Sequence, residues 1–320
     1  MNTQIKLAII AIAIVIPLAS LAITQTNSPS NNSTNENSKL QVVASATFLY
    51  EFSQNIGKEM IDVTLLVPMG ADPHDWEPTI RDTERLQKSD MIIVNGIGYE
   101  HWLNSLELSD IAGILVDTSN GISTLDSANH DEEKHDDHAK EDGHDDEDNH
   151  NHGVLDPHIW LNPVFAQLQV KNIANALSNS DPTNKNYYQS NAAIYNQKLN
   201  LLDTKIRTEL SGCKTDFITF HDAFSYFSEE YGLTQHTIIS STDSHGDVTP
   251  KTLEHIISLA RELNIKVIFA EENTSTKISQ VIADEIGGKV LVLSPLEIVS
   301  DETYVEKMTQ NLESLKEALC

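Results

Sequence analysis

Short runs of β-branched residues alternate with helical stretches along most of the chain, and this alternation limits the possible folds more than any other feature. Four runs precede residue 120: Gln41–Ser45, Val63–Val67, Met91–Asn95 and Ile114–Asp117. Four more follow residue 214: Phe217–Phe220, Thr237–Ile239, Val267–Ala270 and Val290–Leu293. Continuous apolar strands that alternate with helices are typical of parallel sheets covered on both faces. We therefore predict an α/β fold of two lobes, each with a roughly four-stranded parallel sheet flanked by helices.

One long amphipathic helix is predicted between the two groups of strands, over residues 184–210. Its apolar positions lie three or four residues apart and form a single stripe: Tyr188, Ala192, Tyr195, Leu199, Leu202, Ile206 and Leu210. Asp181 and Pro182 precede the stripe and Gly212 follows it, which are typical start and stop signals. A helix of this length is rigid and about 40 Å long. We expect it to join the two lobes and to limit their closure.

The start of the chain indicates where the protein acts. Residues 7–23 are apolar or small and are followed by a linker rich in Ser, Thr and Asn. This is the composition of a secretory signal or membrane anchor followed by a tether. Asn31, Asn32 and Asn273 lie in glycosylation sequons. We expect an extracytoplasmic protein, periplasmic or at the cell surface, that is either secreted or tethered by this N-terminal segment.

These features divide the chain into four parts. We predict a signal or anchor with its polar linker over residues 1–39, an N-terminal lobe over 40–180, the connecting helix over 181–212 and a C-terminal lobe over 213–320. The two cysteines, Cys213 and Cys320, are too few for a disulfide scaffold, and neither lies near the N-terminal segment to carry a lipid. Whether they form a disulfide is open at this stage.

The charge of the chain excludes one class of partner. Asp and Glu number 48 against 21 Lys and Arg, a net charge of −27. Because such a surface repels phosphate backbones, we expect no nucleic-acid partner. Residues 126–152 alone hold 12 acids and six histidines without a large apolar residue, which predicts a disordered loop. Its histidines could collect zinc, sense or buffer high metal, or have no defined role.

Three of the thirteen histidines share a setting that suits metal binding. His74 in GADPHDWEP follows a predicted strand, His158 in LDPHIWLNP follows the acidic loop, and His221 in ITFHDAF ends a strand. Strand ends are where open α/β sheets place ligands. Glu271 leaves another strand at the same edge. Three imidazoles and one carboxylate predict a zinc site that links the lobes.

The neighbours of these histidines have less certain roles. Asp75, Asp156 and Asp222 either accept the second imidazole N–H or cap turns and helices. Trp76 and Trp160 are expected to pack around the site or in the core. Four further histidines lack a comparable setting and are expected at the surface or in ordinary polar contacts: His101, His236, His245 and His255.

Four motifs in order resemble the metal-binding receptors of zinc and manganese ABC transporters, in particular the high-affinity zinc-uptake proteins. They are GADPHDWEPTIRDTERLQKSDMIIVNGIGYEHWL, DPHIWLNP, FHDAFSYFSEEYGL and the late turn LSPLE. The resemblance runs from about residue 40 to the C-terminus, and an acidic, histidine-rich insert before the second motif is typical of the zinc members. It implies the two-lobed fold with a long connecting helix.

The resemblance also implies that His74, His158 and His221 are ligands. Manganese members often have a carboxylate at the third position, so His221 favours zinc. Many members place an Asp in the last turn, where this chain has Ser294. We therefore predict Glu271 as the fourth ligand, with Glu272 or a water molecule as alternatives.

The predicted function is that of a receptor rather than an enzyme. It captures Zn²⁺ as transported cargo between the lobes and, as the resemblance implies, delivers it to an ABC-type permease in the membrane. Mn²⁺ is the alternative cargo. A secreted zinc hydrolase is a further alternative, although no HExxH motif occurs, and so is an adhesin or metal buffer without a transporter. We expect a monomer.

Overall fold

Two parallel sheets with the same strand order form the framework of the protein. The computed structural model describes residues 39–320 except 69–70, 72, 107–110, 126–154, 240–247, 273–275 and 299. In the first sheet, β1 to β4 (Leu40–Ala44, Ile61–Leu65, Met91–Val94 and Ile114–Asp117) lie in the order β2-β1-β3-β4. In the second, β5 to β8 (Asp216–Thr219, Thr234–Thr237, Val267–Ala270 and Lys289–Val292) lie in the order β6-β5-β7-β8. The predicted α/β class with two four-stranded parallel sheets is confirmed.

This strand order creates a crevice at the carboxyl edge of each sheet. β1 lies between β2 and β3, and β5 lies between β6 and β7, with every pairing parallel. The chain therefore leaves the central strands in opposite directions, and the loops separate there. The segments that follow the strands of both sheets line this region.

Eight α-helices cover the sheets in the described part of the chain. They are α1 to α8: Thr47–Gly57, Ile80–Lys88, Pro163–Ser180, Lys185–Glu209, Ser225–Tyr231, Pro250–Glu262, Lys277–Ile286 and Tyr304–Leu319. Thr79 and Thr303 begin α2 and α8 with full capping boxes, in which the side chain of the third helical residue bonds back to the cap. None of the described helices is both long and apolar enough to cross a membrane.

The long helix α4 has the buried stripe that its sequence predicts. It runs for 25 residues, and six of its apolar positions are buried: Tyr188, Ala192, Tyr195, Leu199, Leu202 and Ile206. The helix packs against α1 and α3 on one side and against α8 on the other. It therefore joins the elements of the first sheet to those of the second as one rigid connector.

The two lobes, named here after the first and second sheets, share one hydrophobic core. A single cluster of buried side chains includes Val42 and Trp160 from the first lobe, Leu199 from α4, and Phe269 and Leu312 from the second. Residues 39–320 form one compact unit. Since opening the lobes would expose this shared core, large relative motion is costly. The proposed chain division at residues 180 and 212 stays a prediction.

The largest difference between a predicted and an observed strand concerns β6. The sequence pattern predicts Thr237–Ile239, whereas β6 runs over Thr234–Thr237 at the edge of its sheet. The residues of β6 are polar and only partly buried, so they lack an apolar pattern. Ile238 and Ile239 are buried and donate to the carbonyls of Thr219 and Phe220, continuing beside the end of β5. The apolar residues on which the prediction rests therefore lie at the end of the β5–β6 pairing, after β6 itself.

Cys213 and Cys320 form a disulfide, with their Cα atoms 4.7 Å apart. Cys213 precedes β5, and Cys320 follows α8 at the C-terminus, so the bond lies at the amino edge of the second sheet. It closes a loop that spans both the second sheet and its helices. The predicted N-terminal segment, residues 7–23, and the acidic loop, residues 126–152, lie outside the described residues.

Candidate metal centre

The predicted ligands follow strand ends and turns in the region between the lobes. His74 lies beyond β2, His221 follows β5, and Glu271 follows β7 directly. His158 immediately precedes a short 3-10 turn, Ile159–Leu161, which leads into α3. Because parallel strands end at one edge of their sheet, side chains that are far apart in sequence meet there.

Three imidazoles and one carboxylate form a compact group, which we call the His-Glu cluster. Its members are His74, His158, His221 and Glu297, whose ligand atoms all lie within 4.8 Å of one another. Glu297 Oε1 is 2.8 Å from His74 Nε2 and 3.5 Å from His158 Nε2. The Nε2 atoms of His158 and His221 are 3.4 Å apart. His158 and His221 are fully buried and His74 is 9% exposed, so the cluster is shielded from solvent.

Carboxylates hold the outer nitrogens of two of these imidazoles. His158 Nδ1 donates to Asp156 Oδ1 over 2.7 Å, and His221 Nδ1 donates to Glu271 Oε1 over 2.5 Å. Since an ionised carboxylate only accepts hydrogen bonds, each ring carries a proton on Nδ1 and directs its Nε2 into the cluster. Such partners orient a metal ligand and raise its basicity.

The structure places Glu271 differently from the prediction. Its carboxylate accepts from the ring and, over 3.1 Å, from the backbone N–H of His221, and it is not part of the His-Glu cluster. β7 ends at Ala270, so Glu271 leaves the strand directly beside the His221 backbone. Glu272, the alternative, accepts from Lys307 Nζ at 2.9 Å. Glu297, rather than Glu271 or Glu272, is the carboxylate that lies within the His-Glu cluster.

Glu297 lies on a turn beyond the end of β8. Leu296 has a φ of 63°, a left-handed conformation that costs a leucine energy, and it redirects the chain towards the imidazoles. Asn311 on α8 holds the start of the turn through bonds of 2.8 Å and 2.7 Å to the backbone N–H and carbonyl of Ser294. The motif LSPLE contains this carboxylate, but sequence reasoning considered only Ser294 in the turn. Glu297 was therefore missed.

Comparison with known proteins decides the family. The family model described as zinc-uptake complex component A, periplasmic, matches residues 42–318. The chain belongs to this family. The fold, the family and the classification as a binding protein rather than an enzyme are thus as the sequence predicts.

Relatives within the zinc-uptake component A family cover nearly all of the described chain. The high-affinity zinc uptake system protein ZnuA of Bacillus subtilis is 41% identical over 290 residues, covering 88% of each chain. A crystal structure of ZnuA matches with a TM-score of 0.74 and 28% identity, over 88% of this chain and all of the other. Zn(II)-bound AdcA from Streptococcus pneumoniae matches with a TM-score of 0.72 and 28% identity over 88% of this chain. The chain spans 57% of the length of that protein.

Opposite charges stabilise the His-Glu cluster of this protein. Burial raises the pKa of Glu297, but His74 and His158 beside it outweigh burial and hold the pKa well below its usual range. Burial lowers the pKa of His158, but Asp156 and Glu297 outweigh it and raise the pKa to about 10. His158 must lose this proton before its Nε2 atom can coordinate a metal ion.

Aromatic rings enclose the imidazoles. The ring of Tyr99 meets that of His74 edge-on, with centroids 5.4 Å apart, and the Trp160 ring lies 5.1 Å from the His158 ring. Both aromatic side chains are buried. They exclude water from one side of the cluster and restrict the rotation of the imidazoles, so that the ligands keep their positions.

The remaining predicted residues lie at the border of the site or away from it. Asp222 accepts from the Ser225 hydroxyl over 2.8 Å, just before α5. Trp76 packs edge-on against Trp102, with centroids 5.9 Å apart, and Asp75 is exposed. Of the other histidines, His101 and His255 are exposed, His236 bonds to Asp216, and His245 lies outside the described residues.

Proposed function

We propose that this protein captures Zn²⁺ between its lobes and delivers it to the membrane permease of a zinc-uptake ABC system. The observation that carries the proposal is the His-Glu cluster, whose three imidazoles and one carboxylate lie within 4.8 Å of one another in a buried position. A receptor needs no open coordination position for chemistry, and four protein donors leave none in a tetrahedral site.

The ligand set consists of the Nε2 atoms of His74, His158 and His221 and one oxygen of Glu297. This combination suits zinc, which accepts mixed nitrogen and oxygen donors in tetrahedral geometry. Mn²⁺, the alternative cargo, favours sites richer in oxygen and of higher coordination number. One carboxylate among four donors therefore favours zinc. Glu271 acts as the partner that orients His221.

The protein acts outside the cytoplasm, as its periplasmic family implies. We assign residues 1–39 to a signal or anchor and its linker, so that the protein is either secreted or tethered near its permease. The permease is the partner expected for a component of a zinc-uptake ABC system. A single chain supplies all four ligands, so we assign the receptor function to a monomer.

Metal analysis of the full-length protein tests this function. One equivalent of zinc per chain is expected, with competition assays that favour zinc over manganese. His158→Ala should abolish high-affinity binding because it removes a central donor. Glu271→Gln removes only the partner of a ligand and should lower zinc affinity about 10- to 100-fold. Glu297→Gln removes a ligand itself and should lower zinc affinity further.

Two results would contradict the proposal. Tighter binding of manganese than of zinc would assign a different cargo. A larger loss in Glu271→Gln than in Glu297→Gln would restore Glu271 as the fourth ligand. A growth experiment would test delivery by the permease separately. Deletion of this protein should prevent growth under zinc limitation, and added zinc should restore it.

A further inference from the structure

Two of the four ligand-bearing segments, those of His158 and Glu297, come from different lobes, and each is held by side chains of the opposite lobe. His158 belongs to the first lobe, and its orienting residue Asp156 lies two residues before it. Glu297 belongs to the second lobe and lies on the turn that begins at Ser294. Cross-lobe hydrogen bonds to the backbone of both segments would fix the distance between these ligands.

A tyrosine of the second lobe holds the first segment. Tyr226 on α5 donates its hydroxyl to the Asp156 carbonyl over 2.7 Å, and the same oxygen accepts from the Leu125 backbone N–H over 3.0 Å. Asp156 N–H in turn donates to the Leu125 carbonyl over 3.1 Å. The Tyr226 side chain is buried, with 1% exposed. The Tyr226 hydroxyl of the second lobe therefore links the Leu125 and Asp156 segments of the first lobe next to His158.

Two side chains of the first lobe hold the second segment. Trp160 Nε1 donates to the Pro295 carbonyl over 2.8 Å, and Thr47 Oγ1 donates to the Leu296 carbonyl over 2.9 Å. These are consecutive carbonyls immediately before Glu297. Because Leu296 has the strained φ of 63°, its conformation needs such external restraint.

Trp160 is itself fixed from both lobes. Its ring stacks on Phe48 with centroids 4.3 Å apart and an interplanar angle of 15°. Its backbone carbonyl accepts from the hydroxyl of Tyr304 on α8 over 2.6 Å. The indole N–H is therefore directed at the Pro295 carbonyl by packing on one side and a hydrogen bond on the other.

We propose that Tyr226, Trp160 and Thr47 are positioning residues, the cross-lobe donors, that hold His158 and Glu297 at coordinating distance before metal arrives. The inference rests on the proposed zinc-binding function. Their hydroxyl and indole groups donate to backbone carbonyls next to the metal ligands, at Asp156, Pro295 and Leu296. They therefore act through the placement of the turns. Preorganisation of this kind raises affinity because the ordering of the ligands is not left to the binding step.

Conservative variants of the full-length protein test the proposal. Tyr226→Phe and Thr47→Val each remove one hydroxyl at nearly constant volume. Tyr188→Phe and Thr309→Val are the matched controls, since they remove hydroxyls that bond to Asp181 and to the Val305 carbonyl away from the cluster. Trp160→Phe is left out because it also leaves a cavity. Three properties are measured for the wild type and these four variants. They are the zinc affinity, the absorption spectrum of the Co²⁺-loaded protein and the melting temperature without metal.

The positioning role predicts a specific pattern. Tyr226→Phe and Thr47→Val should bind zinc about 10-fold more weakly than their controls, as expected when a group that orients a ligand is lost. Their cobalt spectra should change, because these bands report the geometry of the coordinating atoms. Their melting temperatures without metal should fall no further than those of the controls.

Other patterns would overturn the proposal. Affinities equal to those of the controls would show that the donors do not position the ligands. Weaker binding with an unchanged cobalt spectrum and a larger loss of melting temperature would indicate a purely structural role. If the wild-type protein itself failed to bind one zinc ion, the proposed function would fail, which is a different result from either of these.

Discussion

At the scale of single residues, two buried carboxylates hold their histidine partners in the same way. Asp156 accepts from the imidazole and, over 2.9 Å, from the backbone N–H of His158, and it is fully buried. Glu271 has the same pair of contacts with His221. Each carboxylate thus binds ring and backbone of one histidine, which fixes both the tautomer and the side-chain torsion.

Asp156→Asn should weaken zinc binding about 10- to 100-fold, because a neutral amide supports the imidazole as a donor less well than a carboxylate. Asp216→Asn provides the matched control. Asp216 also pairs with a histidine, His236, at 2.9 Å, but outside the cluster. Zinc titration of both variants checks the prediction, and equal affinities would contradict the orienting role of Asp156.

Another buried carboxylate, Glu100, is expected to make the stability of the protein depend on pH. It accepts from the Ser45 hydroxyl and from the backbone N–H groups of Asn95 and Gly96, over 2.6, 2.7 and 3.0 Å. Burial raises the pKa of Glu100 to about 7, and these hydrogen bonds only partly oppose it. Between pH 4.5 and about pH 7, Glu100 therefore keeps a proton in the folded protein that it has already lost in the unfolded chain.

Glu100→Gln should flatten this pH dependence. The folded-state pKa of Glu100 is raised, so the protonated side chain contributes most to stability below pH 4.5. The difference in free energy of unfolding between the wild type and the variant should therefore be greatest there and fall as the pH rises to about 7. The fall is at most about 3 kcal/mol. Denaturant unfolding of both proteins without metal, at several pH values across this window, measures the difference. Parallel curves would show that Glu100 titrates normally.

At the scale of elements, the disulfide and the metal cluster lie at opposite edges of the second sheet. Cys213 precedes β5 and His221 follows it, so the strand separates the two features. The disulfide restrains the end of α8 beside the loop that follows α4. It therefore acts on the stability of the second lobe rather than on the ligands.

Replacing both Cys213 and Cys320 by Ser should lower the free energy of unfolding by about 4 kcal/mol, because the bond closes a long loop in the unfolded chain. The sequence separation of the two cysteines is 107 residues. Denaturant unfolding measures the loss, and reductant applied to the wild type should reproduce it. Zinc affinity should be unchanged, and a parallel fall in affinity would show that the disulfide also shapes the cluster.

At the scale of the whole molecule, the metal ion becomes a link between lobes that already share a core. His74 and His158 come from the first lobe, and His221 and Glu297 come from the second. The shared core and α4 keep the lobes together without metal. A bound ion adds bonds across the same region, so its main effect on the protein is stabilisation rather than closure.

Zinc should therefore raise the free energy of unfolding by about 2.7 kcal/mol when free zinc is 100 times its Kd, since only the folded state assembles the four ligands. Thermal unfolding at increasing zinc concentration measures the gain. His158→Ala serves as the control and should show almost no shift. A large shift in that variant would mean that zinc acts at another site.

Much of the fold was predictable because it rests on local patterns. Seven of the eight strands lie within two residues of their predicted positions, whereas the polar edge strand β6 shares only Thr237 with its prediction. The stripe of α4 appears at helical spacing in the sequence and is buried as expected. Edge strands bury little apolar surface, so their pattern carries less information.

The cluster was predictable only in part. His74, His158 and His221 stand beside strand ends and recognisable motifs, and the structure brings all three together. Glu297 could not be distinguished from Glu271 in this way, since both are carboxylates that follow strands of the second sheet. The left-handed conformation of Leu296 separates their roles, and no residue preference in the sequence indicates it.

From the sequence alone we predict the α/β class, the connecting helix and the three imidazoles, because periodicity and short motifs are properties of neighbouring residues. The folded structure, by contrast, is needed to see that Glu297 lies within the His-Glu cluster and that Cys213 pairs with Cys320. Those outcomes depend on the relative positions of turns and chain ends that packing brings together from distant parts of the chain.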